Sequence, residues 1–213
     1  MLYLKNAPLL LRWLQPQGLI WHGRQSRDTR AVYLTFDDGP HPDVTPQVLD
    51  MLRQYDARAT FFCVGQNAER YPELFSRLKK EGHEVGNHTH RHKDGWKTDI
   101  WQYLGDVEEA GKLIKSSLFR PPYGHVTRAQ AKQLQHLGYT IIMWDVLTGD
   151  FDAIRSAEAC FRTIEKFAKP GSIIVFHDSL KAKDRMLPAL KMALEYFRHK
   201  GWQPKALDNS NIR

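Results

Sequence analysis

The sequence predicts an α/β fold built on a parallel sheet, and three observations lead to this prediction. From residue 31 onward, runs of β-branched and aromatic residues alternate with segments of helical period. Capping residues or glycines mark the ends of several of these helical segments. The chain has 213 residues, of which 42% are hydrophobic, enough for one domain with a sizeable core. We therefore expect a single domain with a barrel-like or doubly wound sheet.

The strands are predicted from apolar runs that are too short for helices. They are Ala31–Phe36, Thr60–Val64, His83–Asn87, Leu118–Arg120, Tyr139–Trp144 and Ser172–His177. The helices are predicted from amphipathic segments between them. They are Thr45–Tyr55, Pro72–Glu81, Thr98–Ser116, Thr127–Leu137, Ser156–Ala168 and Arg185–Lys200. Thr45 is the expected N-cap of the first helix, with Pro46 at its first position. In the third helix, apolar side chains fall near one face: Trp101, Leu104, Val107 and Leu113.

The chain is basic, and most of the excess charge lies in residues 1–30. The formal net charge is +7, and residues 1–30 carry five basic residues against the single acid Asp28. A basic chain can bind nucleic acid, an anionic membrane surface or an acidic polymer. The sequence has no recognised nucleic-acid motif and no basic run interleaved with aromatic residues, so we expect no nucleic-acid partner.

Residues 1–30 are interpreted as an N-terminal extension that packs on the domain, and residues 31–213 as the catalytic domain. The alternatives are a basic, Trp-bearing segment that touches a membrane or envelope surface, and an atypical or trimmed export signal. Arg12 interrupts the apolar run, so neither a secretory signal nor a spanning helix is predicted. This leaves a cytoplasmic or a peripheral, envelope-associated location, and we expect a monomer.

Ionisable residues follow the predicted strands where each strand ends. The stretches are Asp37-Asp38-Gly39-Pro40, His88 to His92, Arg120-Pro121-Pro122-Tyr123-Gly124, Trp144-Asp145 continuing to Asp150-Phe151-Asp152, and His177-Asp178. The carboxyl ends of the strands in a parallel α/β fold meet at one edge, where active sites gather. We therefore expect these residues to form one site.

The first of these stretches suggests metal chemistry. Two adjacent carboxylates, Asp37 and Asp38, repel one another unless positive charge lies nearby. One Asp can bind a divalent metal while the other takes a proton from water. His88 and His92 are four residues apart, which on a helical turn places both imidazoles on one face. Together with Asp38 they form a two-His, one-carboxylate set that suits zinc, with cobalt, nickel or iron as alternatives. His90 is expected to point elsewhere.

Two further pairs fit proton transfer. His177 follows an apolar strand, so it is either a core residue or the acid that protonates a leaving nitrogen. Asp150 can hold this histidine in its charged form. Arg120 is a candidate partner that keeps Asp37 ionised and in place. The backbone N–H of Tyr123 can stabilise an oxyanion.

Four motifs in this order resemble the polysaccharide deacetylase family, carbohydrate esterase family 4. They are Thr35-Phe36-Asp37-Asp38-Gly39-Pro40, His88-Thr89-x-x-His92, Arg120-Pro121-Pro122-Tyr123-Gly124 and Val175-Phe176-His177. The resemblance runs from about residue 31 to residue 200. It implies a distorted (β/α)₇ barrel and metal-dependent removal of acetyl groups from N-acetylated sugars, such as chitin-like, peptidoglycan or lipid-linked glycans.

The resemblance also implies roles for individual residues. Asp37 would be the general base and His177 the general acid, with Asp38, His88 and His92 as metal ligands. Arg120 would orient the base, and Tyr123 would donate its backbone N–H to the oxyanion. Asp150 would tune the pKa of His177. One motif departs from the family pattern Asp-x-x-Asp-Trp, because Leu147 and Phe151 stand at its first and last positions.

The substrate contacts are less well defined by the sequence. The candidates for the substrate-binding wall are Trp96, Tyr123, Pro122 and Val175. Trp96, Trp101 and Trp144 can each stack on a sugar ring or pack in the core. Two other functions stay open at this point, namely hydrolysis of a small non-sugar amide or cyclic ureide, and a catalytically silent glycan-binding protein.

Overall fold

The computed structural model describes residues 16–23, 30–208 and 210–212, and a parallel sheet forms its centre. The strands are β1 (Ala31–Asp37), β2 (Thr60–Cys63), β3 (Glu84–Asn87), β4 (Leu118–Phe119), β5 (Thr140–Ile141), β6 (Val146–Leu147), β7 (Ile173–His177) and β8 (Gln203–Lys205). Their order in the sheet is β5-β4-β3-β2-β1-β7-β6, and β8 pairs with the start of β1. Every pairing between these strands is parallel. The predicted α/β class is confirmed.

Helices follow most of the strands. They are α1 (Thr45–Gln54), α2 (Gly65–Arg70), α3 (Pro72–Lys80), α4 (Ile100–Ile114), α5 (Arg128–His136), α6 (Ala157–Phe167) and α7 (Lys183–Lys200). Asp99, Thr127 and Ser156 cap the starts of α4, α5 and α6 with their side-chain oxygens. The prediction that Thr45 caps α1 is wrong: Thr45 is the first helical residue, and its hydroxyl donates instead to Asp178, at 2.5 Å.

The predicted strand Tyr139–Trp144 is much shorter in the structure. Only Thr140 and Ile141 pair with β4. The carbonyl oxygens of Ile142 and Met143 accept hydrogen bonds from the Arg120 guanidinium, so they are not used in a regular ladder. Three further elements, α2, β6 and β8, were not predicted; they have between two and six residues each. Such short elements carry too few residues to establish a period.

The described part of the N-terminal extension, residues 16–23, packs on the domain beside β5 and β7. Ile20 donates its N–H to the Ile141 carbonyl and accepts from the N–H of Met143. His22 forms a bridge with Ser172 and places its Nδ1 atom 2.9 Å from the Asp145 carboxylate. Residues 1–15 and 24–29 lie outside the described residues, so the alternative in which residues 1–30 touch a membrane surface stays a prediction. No described helix has the length and apolar character needed to cross a bilayer.

The largest core lies between the sheet and the helices that flank β1, β2 and β7. Phe36 stacks on both Phe61 and Phe176, with ring centroids 4.9 and 5.8 Å apart. The predicted apolar face of α4 is only partly correct. Val107 is buried, whereas Trp101 is 74% exposed and Leu113 is 38% exposed. The buried residues of α4 are instead Tyr103, Asp106, Val107, Ala110 and Ile114.

Candidate active site

Asp37 is the last residue of β1 and lies in the centre of the sheet. Its neighbours in register are Phe62 on β2 and His177 on β7. The Nη1 atom of Arg120 donates to Asp37 Oδ1 at 2.7 Å and to Thr35 Oγ1 at 2.7 Å. Asp37 and Arg120 are both buried, and the guanidinium also packs over the ring of Phe62, 4.1 Å from its centroid. The predicted pairing of Arg120 with Asp37 is therefore confirmed.

Asp38, His88 and His92 come together as the sequence predicted. The Asp38 Oδ1 atom lies 3.2 Å from His92 Nε2 and 3.8 Å from His88 Nε2. Within the described part of the chain, this is the one group of at least three His, Cys, Asp or Glu side chains whose ligand atoms all lie within 4.8 Å of one another. The two imidazoles do not lie on a helical turn, however. Residues 88–92 form an irregular loop, in which Thr89 and His92 have φ values of 62° and 53°.

The protonation states of this group suit a divalent metal. Burial lowers the pKa of His88 to about 4, so the imidazole is uncharged at neutral pH and carries a proton on only one of its nitrogens. Its Nδ1 atom lies 2.8 Å from the Arg120 carbonyl oxygen, which fixes the tautomer that leaves Nε2 as a ligand. Burial acts to raise the pKa of Asp38, but the hydrogen bond with His92 and the nearby histidine charges hold it well below the usual range. Two imidazole nitrogens and a carboxylate oxygen are a donor set that zinc prefers.

The backbone on both sides of the Asp38 side chain is held in place. The Asn67 side-chain amide donates to the Asp38 carbonyl oxygen at 2.7 Å. The following N–H, of Gly39, donates to Asp178 Oδ1 at 3.1 Å, and the Gly39 carbonyl accepts from the N–H of Val64 at 3.0 Å. A Cβ at position 39 would lie 2.1 Å from Asp178 Oδ2, so only glycine fits there. These contacts support a φ of 79° at Asp38, which is rare for residues other than glycine.

His177 and Asp150 form the second predicted pair. The His177 Nδ1 atom lies 2.8 Å from Asp150 Oδ1, and the His177 N–H donates to Asp150 Oδ2 at 2.8 Å. Burial alone would lower the pKa of His177, but the charge and hydrogen bond of Asp150 raise it to about 9. Arg185 donates from Nε to the Asp150 carbonyl at 2.8 Å, so α7 helps to hold this loop. The ring of Phe151 packs edge-on against His177, at 5.1 Å.

The predicted substrate-binding residues differ in exposure. Tyr123 is 57% exposed, and its ring packs edge-on against His92 at a centroid distance of 4.7 Å. Trp96 is 58% exposed, so for this residue the core interpretation is wrong. Pro122 and Val175 are buried, and their contact with a substrate remains a prediction.

Of two sequence expectations about polar residues, the one for Asp145 is wrong and the one for His90 is confirmed. Asp145 does not join the site: it accepts hydrogen bonds from Ser172 and from the N–H of Ile173, at the start of β7, whereas His177 lies at the end. His90 does point away from the metal-ligand group, toward Glu109, with 3.4 Å between Nε2 and Oε1.

Three residues hold the site although the sequence assigned no role to any of them: Asn67, Asp178 and Arg185. Asp178 carried a signal, since it follows His177 directly at the end of a predicted strand. Asn67 and Arg185 carried none, because each acts on a backbone carbonyl that only the folded chain brings near.

Comparison with known proteins agrees with this geometry. A family model described as polysaccharide deacetylase matches residues 24–142. A peptidoglycan-N-acetylglucosamine deacetylase of Bacillus cereus is 34% identical over 92% of this chain and 94% of its own length. A chitooligosaccharide deacetylase of Azorhizobium caulinodans is 34% identical over 73% of this chain and 77% of its own.

Solved structures share the fold. A crystal structure of a peptidoglycan N-acetylglucosamine deacetylase, in complex with an N-hydroxybenzamide ligand, superposes with a TM-score of 0.84 at 28% identity, covering 94% of each chain. This likeness confirms the distorted (β/α)₇ barrel that the motifs implied. The chain belongs to the polysaccharide deacetylase family, carbohydrate esterase family 4, whose named relatives are hydrolases of acetylated glycans.

Proposed function

We propose that this protein is a metal-dependent N-deacetylase that hydrolyses the acetamide groups of N-acetylglucosamine residues in peptidoglycan. The observation that carries the proposal is the placement of the Asp37–Arg120 pair and the His177–Asp150 pair beside the group Asp38, His88 and His92. The site thus combines a carboxylate base, a charged imidazole acid and a metal-ligand set, which are the groups that hydrolysis of an amide requires. The reaction consumes one water and gives acetate and a free amine on the sugar.

Asp37 is the proposed general base. Its carboxylate takes a proton from the attacking water, and Arg120 holds the carboxylate in a fixed orientation through a charge-assisted hydrogen bond. Asp38 is unsuited to this role, because its side chain is engaged with His92 and its pKa lies well below the usual range. The two adjacent carboxylates therefore have different tasks.

His177 is the proposed general acid. With its Nδ1 atom held by Asp150, its Nε2 is left to donate a proton to the leaving nitrogen. A pKa of about 9 keeps the imidazole charged at neutral pH, so the proton is present when the C–N bond breaks. Asp37 and His177 are partners in register on β1 and β7. The proposed proton acceptor and the proposed proton donor therefore lie at the ends of two paired strands.

Asp38, His88 and His92 would hold the metal, and we propose zinc. When bound, a divalent metal polarises the acetyl carbonyl and lowers the pKa of the attacking water to about 7. The backbone N–H of Tyr123 is the proposed donor to the oxyanion. The position of Tyr123 supports this assignment, because its ring lies 4.7 Å from that of the metal ligand His92.

Peptidoglycan is favoured as the substrate for two reasons. The relative from Bacillus cereus matches nearly the whole of both chains and is named for this substrate. Two of the three metal-ligand side chains are also accessible to solvent, with Asp38 30% and His92 28% exposed, as access by a polymer requires. A chitooligosaccharide is the second candidate, since relatives named for that substrate are equally similar in identity over a shorter span. For a peptidoglycan substrate, we propose that the protein is located at the cell envelope or faces it.

The substrate is tested by acetate release from purified, zinc-loaded protein. Peptidoglycan fragments and chitooligosaccharides are supplied at equal concentrations of N-acetylglucosamine residues. We expect a higher kcat/KM for the peptidoglycan fragments. A higher kcat/KM for the chitooligosaccharides would move the assignment to the second candidate, and release from small non-sugar amides alone would overturn both.

A further inference from the structure

Trp96 stacks on His125 but stays largely exposed to solvent, and the packing of the core does not require an aromatic side chain at this position. Its indole lies flat on the imidazole of His125, with ring centroids 3.7 Å apart and planes inclined by 7°. His125 covers one face of the indole, while the side chain as a whole stays 58% exposed. Keeping a large aromatic surface in water has a free-energy cost, which is recovered when a ligand covers it.

The stack is held by a set of hydrogen bonds that fixes its position. Asp94 Oδ1 lies 2.9 Å from His125 Nδ1 and accepts from the backbone N–H of Trp96 at 3.0 Å, so one carboxylate holds the His125 ring and the backbone that carries the indole. The buried Gln130 side chain donates to the Gly95 and Thr98 carbonyls, at 2.9 and 3.2 Å. A binding surface that is ordered in advance loses little conformational entropy when a ligand arrives.

The two loops that carry the stack pack closely on each other. A Cβ on Gly95 would lie 2.3 Å from the His125 carbonyl oxygen, so glycine is required for this approach. Thr98 adds a hydrogen bond of 2.7 Å from its hydroxyl to the Asp94 carbonyl. The loop after His92 is therefore tied to the turn that follows Arg120, and Trp96 is presented from a rigid base.

Tyr123 connects this stack to the metal-ligand group. Its ring centroid lies 4.7 Å from that of His92 and 5.8 Å from that of His125. The rings of His92, Tyr123, His125 and Trp96 thus form a continuous row that leads away from the metal ligands, and Tyr123 and Trp96 are the exposed members. A ligand that extends from the reacting acetamide along this row meets the free face of Trp96.

We propose that Trp96 is a binding platform for a sugar ring next to the residue that is deacetylated. The proposal rests on the proposed function and deepens it, because it makes the substrate an oligomer rather than a single sugar. The C–H faces of a pyranose ring are apolar and pack against the electron-rich face of an indole. His125 and Asp94 act as positioning residues, since they hold the indole and do not themselves face the ligand.

The test compares kcat and KM of Trp96→Ala with those of the wild type on N-acetylglucosamine and on its tetramer. We expect KM for the tetramer to rise about 3- to 10-fold with kcat little changed, as loss of one aromatic contact predicts. KM for the monosaccharide should stay within about 2-fold. Trp96→Phe should restore part of the affinity. Trp101→Ala is the matched control, because Trp101 is another exposed tryptophan and lies outside the row of rings.

A binding measurement makes the proposal independent of turnover. Tetramer affinity is measured by calorimetry with the zinc-loaded Asp37→Asn chain, with and without Trp96→Ala or His125→Ala. Weaker tetramer binding in both double variants, with an unchanged melting temperature, supports the platform. Equal tetramer affinity with and without Trp96 would overturn it, as would an equal loss for monosaccharide and tetramer. Absence of deacetylation by the wild type, with the Trp96-dependent binding intact, would instead refute the proposed reaction alone.

Discussion

The Arg120 guanidinium lies 2.7 Å from the Asp37 carboxylate, and both groups are almost completely removed from solvent. Burial lowers the pKa of Arg120, while the Asp37 charge and hydrogen bond act in the opposite direction and favour the charged guanidinium. The same guanidinium holds Thr35 and the carbonyls of Ile142 and Met143. Arg120 therefore joins the centre of the sheet to the segment that follows β5, in addition to orienting the proposed base.

We expect Arg120→Met to destabilise the fold by about 3–5 kcal/mol, because it leaves the Asp37 charge buried without a partner. Arg120→Lys should also be destabilising, since an ammonium cannot reproduce the planar fork that reaches several acceptors. Urea unfolding of the metal-free chain measures both effects. The double variant Arg120→Met/Asp37→Leu is the control and should be more stable than Arg120→Met alone. An Arg120→Met unfolding midpoint equal to that of the wild type would show that the pair has no such role.

The three histidines of the segment 88–92 should differ sharply in their effect on metal binding. His88→Ala and His92→Ala remove a ligand and should weaken zinc affinity by more than about 100-fold, a larger loss than outer-shell changes give. His90→Ala is the matched control, because its Nε2 atom faces Glu109. Competition with a chromophoric chelator measures all three. If His90→Ala were as damaging as His92→Ala, the ligand assignment would be wrong.

The pKa of His177 should depend on Asp150. In the metal-free chain we expect an imidazole pKa of about 9, against an ordinary value of 6.5, and a marked decrease in Asp150→Asn because burial then dominates. NMR titration of the imidazole measures both values. A raised pKa in the folded state contributes stability that is fully present below pH 6.5 and disappears as the pH rises through about 9.

The free energies of unfolding of the wild type and Asp150→Asn should therefore differ less at pH 10 than at pH 6. Equal His177 pKa values in the two chains would contradict the assignment of Asp150.

Asp178 should matter for metal binding although it is no ligand. Asp178→Ala removes the acceptor for the Gly39 N–H, so the Asp38 backbone loses one of its supports, and zinc affinity should decrease about 10- to 100-fold. Asp178→Asn retains an oxygen at that position and should stay within about 3-fold of the wild type. Asparagine also matches the charge of the native side chain at neutral pH, because burial raises the pKa of Asp178 to about 8 and the carboxyl group is then mostly neutral. Competition with a chelator measures the zinc affinities of both variants. Equal zinc affinities of Asp178→Ala and the wild type would show that Asp178 does not support the metal-ligand group.

The sequence allowed the fold class and the reacting groups to be predicted for a simple reason. Strand ends in a parallel sheet lie at one edge, so residues such as Asp37 and His177, separated by 140 positions, are neighbours in register. The ligands Asp38, His88 and His92 follow two such ends. The predicted helical turn for the two histidines was wrong, yet they were still brought together, because an irregular loop with positive φ values achieves the same proximity.

Other features could not be predicted from the sequence, because they depend on contacts between side chains and backbone groups that are distant along the chain. Strand β5 ends after Ile141, where the Arg120 guanidinium donates hydrogen bonds to the carbonyls of the next two residues. Local residue propensities do not indicate such a contact. The support of Asp38 by Asn67 depends on α2, a helix of six residues with little periodic signal. The exposure of Trp96 was also ambiguous, since an aromatic residue in a loop pattern fits both a core and a surface position.

The most direct test of the central claim is acetate release from N-acetylglucosamine oligomers and peptidoglycan fragments, with zinc-loaded wild type and Asp37→Asn compared at equal metal occupancy. We expect steady acetate release by the wild type, its loss on chelation and its return when zinc is added again. Asp37→Asn, with metal bound and fold intact, should be slower by about 10²- to 10⁴-fold, as loss of a general base predicts. Acetate release by Asp37→Asn at the wild-type rate, or none from any glycan by the metal-loaded wild type, would contradict the account.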